Sequence, residues 1–366
     1  MSGARELAAV VQRDGAATFW VERSARALGF DRLAESLLGE ADYAPYLYVL
    51  TVLFLDVPVV NTINYYRGYD SLMTSPWWGW PGVIWWLIPA VVVLSVYFLR
   101  TLRDRYDRAL DDVGRQATGP TVDSALSRRL QYSTLLLGLV VFAVWLTTAV
   151  GPILEEVGPL VGAFKWLVVV PLVYVPIGTD LTAAYVHVQL VLPRRVRAAG
   201  VALDFSDPRR LGGMYPLGRT MRFAAAATFV ALTLYTVLWS LGLVVTPEMF
   251  SAATRTTVAV FFGLAWALAA GALVAGLFVT HRHMAASRSA ELNRIHDALR
   301  QLGDDDQSIP YTAPRDEAEF RTYLREYVRL DRVERTRTVP VNVAVAWELV
   351  GVAVLPMALQ VVTLSL

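Results

Sequence analysis

The chain has 366 residues, of which 55% are hydrophobic and 18% charged, and its formal net charge is +1. A soluble domain carries about a quarter charged residues, so the deficit points to a surface that faces lipid, and the near-neutral balance argues against a nucleic-acid partner. The absence of cysteine excludes disulfides, thiolate metal sites and thiol catalysis.

In chain order, residues 1–42 are mixed in charge and show no apolar core followed by a small-residue cleavage site, so no signal peptide is expected. Apolar residues at helical spacing (Leu7, Val10 and Val11, then Leu33 and Leu37) predict amphipathic helices over 5–38, broken at Gly15 and Gly29. These helices lie on the membrane or on the helix bundle. A helix that crosses a bilayer needs about 20 mostly apolar residues. Seven segments qualify: 43–66, 81–99, 132–150, 164–192, 223–245, 257–280 and 341–364. The fold class is therefore all-α, a polytopic membrane protein with 43–280 holding the first six helices.

Cytoplasmic loops retain Lys and Arg. Segments 1–42, 100–131, 194–222 and 281–340 carry 30 of the 33 basic residues, which leaves only Arg67, Lys165 and Arg255 for the opposite side. The N-terminus is thus expected in the cytoplasm and the C-terminus outside, in a multi-pass protein of the plasma (cytoplasmic) membrane with lipid as its first partner. Trp77, Trp78, Trp80, Trp85 and Trp86 cluster at the first outer loop, as an interfacial aromatic belt does.

The sixth helix runs on through 283–302 without a breaker until Gly303 and the acids Asp304, Asp305 and Asp306. After a loop with Pro310 and Pro314, a second helix is predicted from about 315–317 to 337. Its Phe320, Leu324, Tyr327 and Val328 fall on one stripe, expected to be buried against helices of this chain or of a neighbour. Pro340 breaks the helix and the seventh span begins. Segment 281–340 is thus a cytoplasmic helical hairpin, an extended stalk, and 341–366 holds the membrane half of a split seventh helix.

Ionisable residues inside a bilayer are costly and default to functional candidates. Asp56 in the first span, Asp180 and His187 in the fourth and Glu348 in the seventh stand out. Asp56 and Asp180 fall near mid-span, His187 nearer the cytoplasmic end, and Asp180 and His187 share a face. Two readings are open: a polar pathway or cation site between helices, or local satisfaction, with Asp56 bonded to Asn61 or Tyr174 and His187 at the boundary. Pro171 and Pro176 each free a carbonyl one turn earlier, which predicts a bend or a ligand cavity near Asp180. The stretch Asp204–Arg222 predicts an ordered turn at Asp207-Pro208 and Gly212-Gly213, with Arg209, Arg210 and Arg219 either solvated or on lipid phosphate.

Walker, GxSxG and HExxH signatures are absent. His281 and His283 are poorly spaced for a metal, and the seventh span lacks the lysine a retinal protein needs. No enzyme activity, metal or cofactor is expected.

Seven helices with the N-terminus inside, an extended sixth helix and a split seventh resemble the insect gustatory and odorant receptor type of ion channel. Gln360 matches the glutamine of that family's C-terminal motif, while Ala353, Val354 and Val361 stand where the motif has Thr-Tyr and Phe. The resemblance implies a tetramer packed through the cytoplasmic ends of the later helices, a small-molecule ligand among the outer helix ends, and a pore lined by the last helix. Its lining candidates are Gln360, Val361, Leu364 and Glu348, and the ligand-pocket or ion-pathway candidates are Asp56, Tyr174, Asp180 and His187. The leading expectation is a homo-oligomeric ligand-gated cation channel. The alternatives are a proton-coupled transporter using Asp56, Asp180 and Glu348, and a non-conducting scaffold or sensor subunit.

Overall fold

A computed structural model describes residues 19–66, 80–114, 128–157, 159–245, 252–302 and 317–339, and among them there is no strand. Two short helices, α1 (Trp20–Ala27) and α2 (Phe30–Leu38), precede the first apolar helix. That helix runs through α3 (Ala44–Phe54), a π-helical stretch (Leu55–Val60) and α4 (Asn61–Tyr66). Next come α5 (Trp80–Gly114) and α6 (Arg128–Val157). The fourth run is continuous: α7 (Pro159–Phe164), a π stretch (Lys165–Tyr174), α8 (Val175–Val186), a π stretch (His187–Val191) and α9 (Leu192–Ala198). Helices α10 (Tyr215–Val245), α11 (Ala252–Leu302) and α12 (Glu317–Arg335) complete the described chain.

Among the described residues four helices are long and apolar enough to cross a membrane: Ala41–Val60, Gly162–Ala198, Tyr215–Val237 and Ala259–Gln301. The chain is accordingly an all-helical membrane protein. Helices α5 and α6 cover the residues of the second and third predicted spans but are not among these four. The seventh, at 341–364, lies outside the described residues, together with Gly15, the 303–316 loop, Pro340, Glu348, Gln360, Val361, Leu364 and the side chains of Asn61 and the five clustered tryptophans.

Prolines explain the π stretches. A proline has no N–H, so the carbonyl four residues before it loses its partner. A π-turn bonds i to i+5 and reaches past the proline to the next amide. Pro58 and Pro171 lie inside π stretches, and Pro193 lies two residues beyond the third. Pro176 is served differently. The carbonyl it frees belongs to Leu172, which accepts from the Tyr48 hydroxyl on α3 at 2.7 Å. The bend expected near Asp180 is thus sealed by a neighbouring helix.

The core joins α3, α5, α8 and α10 around Tyr48, Val92, Val96, Leu99, Ile177 and Phe229, with Trp266 of α11 stacked on Phe229 at 5.5 Å. Close approach occurs where a side chain is missing. A Cβ on Gly276 of α11 would sit 2.1 Å from the Gln189 carbonyl oxygen, the acceptor that Pro193 frees. Leu136 and Leu137 on α6 and Leu264, Leu268 and Phe278 on α11 are exposed, as lipid-facing residues are.

Helix α11 is one unbroken helix past its apolar part, and α12 folds back on it. Arg288 of α11 donates to the Val333 and Glu334 carbonyls at 3.2 and 2.7 Å, capping the C-terminus of α12. Arg329 pairs with Glu291 at 2.6 Å, and Val333 and Ile295 are buried. Among the described residues, nothing covers the stripe predicted to be buried. Phe320, Leu324, Tyr327 and Val328 are 43–50% exposed. The docking face is a different one, through Arg329 and Val333, because a helical stripe alone does not say which side meets the neighbour.

Candidate functional site

The polar groups that the sequence singles out fall into two separate places. The first is built around Asp180 on α8, which is fully buried. Its Oδ2 accepts from the backbone amide of Val21 at 3.1 Å. That amide belongs to the first turn of α1, whose leading N–H groups have no partner within the helix. A carboxylate at a helix N-terminus is stabilised by the aligned peptide dipoles as well as by the hydrogen bond. Asp180 therefore caps a helix 159 residues away, and its other oxygen, Oδ1, has no partner among the described residues.

The rest of α1 is held by side chains from two further helices. Glu22 accepts from its own helix start, the Phe19 amide, at 3.0 Å, and forms an ion pair with Arg103 of α5 at 3.0 Å. Arg23 donates to Gln131 of α6 at 3.2 Å and lies 4.7 Å from the centre of the Trp20 ring. Trp20 in turn meets Tyr132 edge-on at 5.2 Å. Phe19, Val21 and Ala25 are buried, so α1 is a wedge set into the bundle.

These contacts fix the level of Asp180. Arg103 and Gln131 mark the arginine-bearing ends of α5 and α6, and Arg100 pairs with Asp42 at the foot of the first apolar helix at 3.1 Å. Sequence position puts Asp180 near mid-span, and the partners of the helix it caps come from the arginine-bearing ends of α5 and α6. His187, seven residues on, shares a hydrogen bond of 2.8 Å between its Nε2 and the Tyr106 hydroxyl of α5.

The second place is Asp56, 1% exposed, on the first π stretch. Its Oδ2 lies 3.6 Å from Nζ of Lys165, the first residue of the second π stretch and the only lysine in the chain. Tyr174, at the far end of that stretch, lies within electrostatic reach of Asp56 and of Tyr235 on α10. Asp56 thus has a cation beside it; of the partners expected from the sequence, the Asn61 side chain lies outside the described residues. Lys165 and Asp180 are fifteen residues apart on one helical run, about 22 Å at 1.5 Å per residue. The two carboxylates sit in separate places along that run.

Sequence reasoning missed Glu22, Arg23, Arg103 and Gln131 around α1, and Gln189, whose Nε2 donates to the Met221 carbonyl at 2.8 Å. The available signal was Glu22 itself, an acid in the first turn of a short amphipathic helix. Two histidines on α11 serve as clamps: His281 bonds the Thr338 carbonyl at 3.0 Å and His283 the Val201 carbonyl at 3.2 Å. The 204–214 turn is organised by Asp207, which accepts from the amides of Arg209, Leu211 and Gly213. Arg209 stacks 3.9 Å over Tyr215.

In comparisons with known proteins, no family profile, no curated protein and no solved structure matches this chain.

Proposed function

We propose that the chain is a seven-span protein of the plasma membrane, N-terminus inside and C-terminus outside, that conducts cations as a homo-oligomer, most simply a tetramer. The observation that carries this reading is the α11–α12 hairpin. A single helix, Ala252–Leu302, leaves the apolar zone, and α12 returns along it with its C-terminus capped by Arg288. The Arg337 amide then bonds the Arg210 carbonyl at 2.8 Å, and His281 holds Thr338. These bonds give the chain a fixed anchor just before the apolar segment 341–364 in the sequence. Neighbouring subunits are the natural cover for the exposed stripe on α12. In this reading Gln360, Val361, Leu364 and Glu348 line the pore, since a polar, uncharged amide replaces part of an ion's water without trapping it. A small-molecule ligand would act through the helices around Tyr174.

Purified protein in liposomes tests the reading. Single-channel currents altered in size or ion preference by Gln360→Ala support it. Silent bilayers together with pH-driven uptake sink it.

A second reading, proton-coupled transport, rests on the buried Asp56–Lys165 pair, because proton coupling needs an intramembrane group that ionises. Asp56→Asn abolishes uptake in that case and leaves channel currents in the first. Protein that gives neither currents nor uptake is a scaffold.

A further inference from the structure

The N-terminal hairpin has two unlike arms. Helix α1 is buried and capped by Asp180, whereas α2 presents leucines to the outside. Along α2 the apolar residues Phe30, Leu33, Ala34, Leu37 and Leu38 fall at i, i+3, i+4, i+7 and i+8, and Asp31, Arg32, Glu35 and Ser36 take the other face. One edge of the apolar arc packs inward: Ala34 is buried and Phe30 meets Tyr48 of α3 edge-on at 5.5 Å. The other edge is open, with Leu33, Leu37 and Leu38 and the preceding Leu28 42–66% exposed.

The position of α2 says what covers those leucines. It packs along the foot of the first apolar helix, which itself exposes Leu50 and Phe54. Tyr48, its aromatic neighbour, lies inside the candidate span Ala41–Val60. The open edge therefore continues the lipid-facing surface of a membrane helix. The polar face carries two acids and one arginine, so attraction to anionic headgroups is not what seats it; apolar area is. Both ends of α2 are glycines with φ near +78°, Gly29 and Gly39, in the left-handed region that only glycine adopts freely. The sharp turn at Gly29 sends the chain straight from the open arm into the buried wedge.

We propose that α2 is seated in the hydrocarbon of the leaflet at the arginine-bearing end and holds α1 against Asp180, so that the state of that leaflet regulates the bundle through the N-terminal hairpin. The partner is lipid acyl chain. Lipid packing that disfavours α2 pulls on Gly29 and loosens the Val21–Asp180 cap. The arrangement holds whether or not the chain conducts.

The cysteine-free chain, full length and in nanodiscs of zwitterionic lipid, allows a direct test with single nitroxide labels. At Leu37→Cys the label is expected to collide with oxygen, which concentrates in lipid, and to be shielded from a water-soluble nickel chelate; at Arg32→Cys the order reverses. Equal access of nickel at both sites means that α2 lies in water, and shielding from both reagents at position 37 means that protein covers it. Either result overturns the proposal. For the coupling, the labelling rate of Ala25→Cys by a thiol reagent reports release of the wedge. Adding Leu37→Asp is expected to raise that rate about tenfold, the scale of one buried leucine. An unchanged rate, with α2 in lipid, shows that its seating does not reach Asp180.

Discussion

Asp56 and Asp180 are both buried carboxylates in apolar, proline-bearing helices, and they are neutralised in different ways. Asp56 faces Lys165, a full charge from another span at 3.6 Å. Asp180 faces the start of α1, a peptide amide and a helix dipole. A lysine carries its compensating charge wherever its side chain reaches. A helix N-terminus compensates only while the whole helix stays docked. The first arrangement is a fixed fitting between two spans; the second makes the charge state of a buried acid depend on the position of a separate element. That difference is why the wedge, and not the ion pair, is the part of the molecule suited to move.

The largest effect should come from breaking the ion pair on one side. Lys165→Met leaves Asp56 buried and unpaired, a loss of about 3–5 kcal/mol, seen as a marked drop in thermal stability in detergent. Adding Asp56→Asn should restore most of it. If the double variant is no better than the single one, Lys165 matters for packing and the contrast between the two sites weakens.

Next in size is a substitution that touches neither charge. Gly276→Ala puts a methyl group 2.1 Å from the Gln189 carbonyl oxygen. Helix α11 and the His187–Val191 π stretch must then part, at about 1–3 kcal/mol. Stability should fall while thiol access to Ala25→Cys stays as it was, since this contact lies away from the wedge. Raised access would mean that wedge and bundle loosen together.

Asp180→Ala removes the cap and should cost about 1–2 kcal/mol, less than Lys165→Met, but it should expose Ala25→Cys where Lys165→Met does not. Equal exposure in both variants would erase the distinction between fixed fitting and movable wedge. The smallest effect is expected at Tyr48. Tyr48→Phe strips the Leu172 carbonyl of its donor, worth about 1 kcal/mol, and should show as faster hydrogen exchange around Pro176 with little change at the wedge.

Much of the helical layout was legible from residue spacing. The unbroken passage of α11 through the predicted 283–302 extension follows from the absence of any breaker in that run. The C-terminal end of α12, Arg335, lies two residues before the predicted 337. The break at Gly29 is where a residue tolerant of positive φ stands between two amphipathic stretches. The candidate residues were legible as types only. Asp56 and Asp180 look alike in sequence, both acids near the centre of an apolar run, yet their partners lie 109 and 159 residues away. The α12 stripe shows the same limit, since periodicity finds an apolar face and leaves its neighbour unnamed.

The sequence by itself determined that this chain is helical and membrane-bound, because apolar length and the need to satisfy every backbone group internally leave few other solutions in lipid. It also determined where prolines free carbonyls, since that follows from a missing N–H. Only the tertiary structure decided what satisfies them: π-turns at three places and the Tyr48 hydroxyl at Leu172. It alone decided that Lys165 answers Asp56 and that a short helix from the N-terminal segment answers Asp180. The physical reason is range. Helix formation and lipid partition act over one turn or one segment, while the compensation of a buried charge depends on which distant group the packing brings within a few ångströms.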